Sequence, residues 1–162
     1  MTARVAGDGF LRLGGRQWRV SIGERGIVAR KEEGDCGTPC GVLPLRRVLF
    51  RADRLAAPRC AVPIEPIARD DGWCDDPAHP DYNRMIRLPH PAHHEELWRA
   101  DGLYDVIGVL GWNDAPPIRG AGSAIFLHVA RADYAPTAGC VALALPDLLE
   151  ALAAGLTAIE TG

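Results

Sequence analysis

Apolar and polar positions alternate near the front of the chain, where Trp18, Val20 and Ile22 are separated by Arg19 and Ser21. A period of two predicts a strand with one buried face. Gly23 to Gly26 reads as a turn, and Ile27 to Arg30 as the partner strand returning alongside. Lys31 to Cys40 is a polar loop, and Gly41 to Phe50 reads as a longer strand. Pro44 lacks the N–H needed by a central ladder, which puts this strand at a sheet edge or beside a bulge. Arg51 to Pro91 is irregular and rich in Pro, Asp and Arg, and a short helix is expected over His94 to Asp101. Within Tyr104 to Leu110, a nearly continuous apolar run predicts a strand buried on both faces. Two further runs, Ala124 to Leu127 and Val141 to Leu143, flank a polar connection and predict adjacent strands of a hairpin. Pro146 suits a first helical turn, Leu145, Leu148, Leu149 and Leu152 share one helical face, and Gly155 ends it. Leu156 to Glu160 can close as a last strand.

This succession of short elements, with 18 Gly and 13 Pro, predicts a mostly β fold with one or two short helices. A length of 162 residues suits a single domain spanning 1–162, and 48% apolar with 24% charged residues is globular composition. A net charge of −3 gives no reason to expect nucleic acid as a partner. No segment has the apolar length of a membrane span, so no membrane insertion is expected, and a monomer is the expectation for the assembly. Arg4, Asp8 and Arg12 interrupt the front of the chain where a signal peptide would need an apolar core. Five cysteines, an odd number, fit reduced thiols better than a disulfide framework. A cytoplasmic location is therefore expected, or a periplasmic one if a leader has been removed.

Candidate chemistry changes the picture at one place. His128 ends one apolar run and Cys140 precedes the next, so the expected hairpin holds an imidazole and a thiol near each other. A base beside a thiol is the minimum set for thiolate attack on a carbonyl. Gly139 permits the tight turn, and N–H groups around Gly139 and Cys140 could receive an oxyanion. A buried structural Cys and a His bonded to backbone are the competing reading of the same residues. Cys36-x-x-x-Cys40 has no second pair at zinc-like spacing, and His90, His93 and His94 lack ligands from separated parts of the chain, so no metal or cofactor is expected. In the Asp-rich stretch, Trp73 offers an aromatic platform and Asn83 and Arg84 polar contacts for a substrate groove.

His128 together with Thr137-Ala138-Gly139-Cys140-Val141 resembles the signature of the L,D-transpeptidase catalytic domain, the YkuD family. There, a His at a strand end precedes a Ser/Thr-His-Gly-Cys element. Gly37-Thr38-Pro39-Cys40-Gly41 is similar to the family's Thr-Pro-x-Gly segment, and the likeness runs from about Trp18 to Ile159. A divergent branch carrying Gly-Trp-Cys-Asp-Asp-Pro is matched by Gly72 to Pro77, and its Gly-Ser-Ala-Ile-Phe-Leu-His segment by Gly122 to His128. Two positions depart from the pattern. Ala138 stands where a second His is usual, and Ala142 where an Arg commonly follows the Cys.

The resemblance implies a YkuD-like β-sandwich, Cys140 as nucleophile and His128 as base, the latter steadied by the carbonyl of Val129. It also implies a contact from Thr137, and peptidoglycan stem peptides or muropeptides as partners. With Ala142 unable to hold a carboxylate, Arg119 is the candidate replacement. The implied reaction is acyl transfer at the bond between an L-centre and a D-centre of a tetrapeptide stem, in the cytosol as an L,D-carboxypeptidase in muropeptide recycling. The alternative is a non-catalytic peptidoglycan-binding module on the same scaffold. A redox role is disfavoured, because Cys140 has no second Cys two or three residues away.

Overall fold

The computed structural model describes residues 1–162. Fourteen strands and one helix follow in order. The first group is β1 (Thr2–Val5), β2 (Phe10–Leu13), β3 (Arg16–Arg19), β4 (Ile27–Val28), β5 (Thr38–Pro39) and β6 (Gly41–Phe50). Next come β7 (Ile64–Pro66), β8 (Asp71–Cys74), β9 (Met85–Arg87), β10 (His94–Glu96) and β11 (Val106–Leu110). The chain ends with β12 (Phe126–Val129), β13 (Val141–Leu143), α1 (Leu145–Ala153) and β14 (Ala158–Thr161).

The ten-residue β6 is the hinge of the fold. Its first residues, Gly41 to Pro44, pair with β14, which leads on through β1 and β2 to β3. Its second half pairs with β11, and β12 and β13 follow outward. One strand thus serves two wings. Twenty buried residues drawn from both wings and from α1 form the main core, among them Leu43, Leu127, Leu143, Leu152 and Ile159. The result is the mostly β architecture that the composition and the turn pattern predict. Pro44 is not at an edge, since β6 is paired on both sides. It lies two residues before a bulge, where Val109 faces Arg47 but Leu110 faces Leu45.

The alternation of β11 explains how a strand buried throughout serves two layers. Val106 and Leu110 enter the main core, while Ile107 and Val109 join a second cluster with Trp73, Leu97, Tyr104 and Phe126. A three-stranded sheet, β10-β8-β9, covers that second face. Its strands β8 and β9 come from the stretch that reads as irregular in sequence, because each is only three or four residues long. The helix expected over His94 to Asp101 is instead β10 and a turn. Glu95 pairs with Trp73, and the β8 ladder prevails over helical propensity.

Two other expectations change. Ile27–Val28 pairs with Thr38–Pro39, in parallel, rather than with the strand at Trp18. That strand stops at Arg19, although Trp18 and Val20 are buried as the alternation demands. More consequentially, β12 and β13 are adjacent but parallel, not a hairpin. Residues 130 to 140 return the chain to the starting end of β12, as a parallel pair requires. The terminal elements follow the sequence closely: α1 buries Leu148, Ala151 and Leu152, and β14 completes the first wing.

Phe126 is fully buried and meets Trp73 and Tyr104 edge-on, with ring centroids 5.1 and 5.9 Å away. Phe126→Ala should therefore lower stability by about 3–5 kcal/mol in urea denaturation. A loss below about 1 kcal/mol would show that the second layer does not depend on this ring.

Candidate functional site

Side chains on a strand alternate, so the parallel register sorts β12 and β13 into two faces. Leu127, Val141 and Leu143 enter the main core. Phe126 and His128, with Cys140 and Ala142, point the other way, toward the layer made by residues 51 to 104. A cavity of about 360 Å³ opens there, and Cys140, His128, Thr137 and Ala142 are among its lining residues. His128 is level with Ala142 in the ladder, which sets Cys140 level with Phe126. Two strand positions separate imidazole and thiol, roughly 6–7 Å along the strand direction.

His128 Nδ1 lies 2.9 Å from the carbonyl of Val129. A carbonyl only accepts, so Nδ1 carries the proton and Nε2 presents its lone pair. The ring packs edge-on to Tyr104 at 5.4 Å. Burial, followed by the nearby Arg99 and Arg131, holds the imidazole pKa below its ordinary value. Cys140 Sγ lies 3.3 Å from the Ala124 carbonyl, to which the thiol donates, and accepts the Phe126 N–H at 3.4 Å. Burial pushes the thiol up to about 12, with the Glu95 carboxylate adding to the effect. Both groups are therefore neutral at rest.

The thiol's partner is itself held with care. Ala124 has φ 51°, the left-handed region that non-glycine residues avoid. Its N–H donates to Asn83 Oδ1 at 3.1 Å, and Trp73 Nε1 donates to the same oxygen at 3.0 Å. The Asn83 amide nitrogen donates in turn to the carbonyls of Trp112 and Asn113. Trp73 and Asn83 are thus buried supports beneath the site rather than a wall of its cavity. Both line a second cavity of about 390 Å³, where Arg84 is exposed. Arg119 is exposed on its loop and lines neither cavity. Of the residues expected to form a groove, Trp73, Asn83 and Arg84 therefore meet at the second cavity, and Arg119 lies apart from both.

Thr137 lines the cavity, but its hydroxyl serves the turn, donating to the Cys140 carbonyl at 2.7 Å and accepting the Gly139 N–H at 3.1 Å. The Gly139 N–H is engaged for that reason, whereas the Cys140 N–H makes no hydrogen bond within the protein. Gly139 has φ 138°, and a Cβ there would lie 2.8 Å from the Gly37 carbonyl. Only glycine fits. The approach is fixed by Thr38, fully buried, whose hydroxyl donates to the Gly139 carbonyl at 2.9 Å and accepts the Gly23 N–H at 2.8 Å.

The opposite wall comes from residues that the sequence pattern does not single out. Glu33, Asp75 and Glu95 line it, and burial raises the Glu95 pKa although Tyr104 donates to it at 2.9 Å. Nearer His128 stand Arg99 and Arg131. They escape notice because β10 and the turn after β12 meet only through the fold. Cys36 also lines the cavity, as a free thiol. The histidines weighed as metal ligands lie elsewhere. His90 bonds Asp81 at 3.0 Å with His79 nearby, and His93 bonds Asp75. Nδ1 of both His79 and His90 accepts a backbone N–H, which leaves the proton on each Nε2 and opposes a cation there.

A thiol and an imidazole thus face one cavity on a mostly β scaffold. The chain belongs to the YkuD family, whose model, the L,D-transpeptidase catalytic domain, matches residues 10–157. No curated protein and no solved structure matches the chain.

Thr38→Val removes the bridging hydroxyl and leaves a buried carbonyl and a buried N–H unsatisfied. It should lower stability by about 1–3 kcal/mol in urea titration, whereas Thr38→Ser should stay near the parent. A Val variant as stable as the parent would show that the two hydroxyl bonds do not hold the turn.

Proposed function

We propose that Cys140 and His128 carry out a two-step acyl transfer on peptidoglycan stem peptides. The observation that supports this reading is their common cavity, on adjacent strands of the family's domain, with His128 Nε2 free of protein partners. Rotation of the thiol away from Ala124 brings its proton toward Nε2. The sulfur then attacks the carbonyl carbon of the bond joining the L-centre of the diamino acid to D-Ala. The carbonyl electron pair moves onto oxygen, beside the unengaged Cys140 N–H. Collapse breaks the C–N bond, the departing amine takes the proton from the imidazolium, and a thioester remains on Cys140. An acceptor that gives its proton to His128 then releases the acyl group and restores the thiol.

Water as acceptor gives L,D-carboxypeptidation, and an amine from a second stem gives transpeptidation. Hydrolysis is the version we favour. Five thiols, an odd number, suit a reducing cytosol, where acceptor stems are dilute and water abundant. This fits trimming of tetrapeptides during recycling. The second reading, a binding module without turnover, draws its support from the thiol donating to Ala124 rather than to His128.

Incubation with free murein tetrapeptide should release D-Ala and leave tripeptide as the main product by mass spectrometry, and Cys140→Ser should abolish this without unfolding the protein. Dominant cross-linked dimer would replace the hydrolytic version with the transpeptidase one. A Ser variant as active as the parent would remove Cys140 from the mechanism.

The base acts as neutral imidazole, and burial lowers its pKa from the ordinary 6.5, so it stays neutral into mildly acid solution. The acidic limb of kcat/KM should accordingly lie below pH 6.5. A limb centred above that value would contradict the assignment of His128 as a buried neutral base.

A further inference from the structure

We infer that Arg131, backed by Arg99, receives the free carboxylate of the residue expelled when the Cys140 sulfur attacks the substrate carbonyl, so that the site acts on peptide ends and not on internal bonds. This rests on the acyl-transfer reading above.

Strand β13 leaves the cavity without a cation of its own. Ala142 faces His128 in the ladder and presents only a methyl group. Three cationic side chains line the cavity instead: Lys31, Arg99 and Arg131. Lys31 is committed elsewhere, because its side chain is 3% exposed and its ammonium lies 2.5 Å from Asp35. Arg99 donates through Nε and a terminal nitrogen to Asp101 and lies over the Tyr104 ring at 4.9 Å, which fixes its plane. Arg131 is exposed, and its side chain makes no ion pair or hydrogen bond. Its donors are all available.

Position then selects the ligand group. The expelled amine must collect its proton from His128, so it departs at that end of the cavity. In an amino acid the carboxylate carbon lies about 2.5 Å from the amine nitrogen, two bonds away. Whatever holds the carboxylate must therefore stand beside His128. Arg99 and Arg131 are the cations close enough to that ring to act on its charge. The Glu33, Asp75 and Glu95 side of the cavity presents carboxyl groups already bonded to Tyr82, Ser123, His93 and Tyr104. A planar guanidinium matches a carboxylate with two parallel hydrogen bonds, and Arg99 holds Asp101, the one carboxylate also felt at His128, in its own ion pair.

The test compares murein tetrapeptide bearing a free C-terminal acid with its C-terminal carboxamide. The parent should favour the acid by roughly 10- to 100-fold in kcat/KM, the range for a charge-assisted pair. Arg131→Met should bring that ratio near one, and Arg131→Lys should restore part of it. If Arg131 acted only by depressing the basicity of His128, both substrates would lose rate together and the ratio would stand, which overturns the proposal. A parent without preference overturns it as well. A second readout is independent of turnover. On a Cys140→Ala background, Arg131→Met should weaken calorimetric binding of the acid by a similar factor and leave the carboxamide's affinity unchanged. Should the parent turn over neither peptide while this contrast persists, the carboxylate site stands and the acyl-transfer reading falls. Turnover of both peptides with no binding contrast removes the carboxylate site and leaves acyl transfer standing.

Discussion

A single buried hydroxyl joins three distant parts of the chain at the point where the site is made. Thr38 accepts the N–H of Gly23 and donates to the carbonyl of Gly139. With no water at this depth to replace it, each bond is worth more than a surface hydrogen bond and each is costly to lose. The turn bearing Cys140 is also tied at Thr137, whose N–H donates to Ile22 and whose carbonyl accepts from Glu24. Gly139 is the complement of this contact, since the Gly37 backbone occupies the space a side chain would need. The similarity of Gly37-Thr38-Pro39 to a family segment thus has a physical meaning. It is a clasp for the turn that bears Cys140.

The second organising constraint is the pleat. Strands β11 to β13 are covered on both sides, and each residue's parity decides its duty. One parity fills the core shared with α1 and the first wing; the other carries Ile107, Val109 and Phe126 to the second cluster and His128, Cys140 and Ala142 to the cavity. The cavity thus opens on one face only. That separation allows the reactive face to hold strained and polar groups, such as Ala124 at φ 51° on Asn83, without disturbing the main core.

Much of this is legible in the chain itself. The β-rich class, the long β6, the buried β11 and α1 follow from runs and periods, and the neighbourhood of Thr137 to Val141 and His128 follows from short-range patterning. Direction is not legible. An apolar run pairs equally well either way, and only the return of residues 130 to 140 decides that β12 and β13 are parallel. The strands of the covering layer are too short for a period to stand out against Pro and Asp turns. Trp73 and Asn83 show the deeper difficulty. Their composition suits a ligand platform, but Asn83 is 6% exposed and satisfies four partners inside the protein. Polar residue types do not say which side of a wall they face. Arg131 shows the reverse, a plain loop residue in sequence that the turn after β12 brings beside His128.

Burial also sets how long the resting thiol survives. Oxidants and alkylating agents react with the thiolate, and the rate at which a cysteine is lost follows how much of that form is present. Cys140 is kept protonated by burial and donates to Ala124, with a backbone N–H against its sulfur. Such a thiol is shielded for as long as these two bonds hold it. Its lifetime then depends little on the redox state of its surroundings, and more on what reaches the cavity.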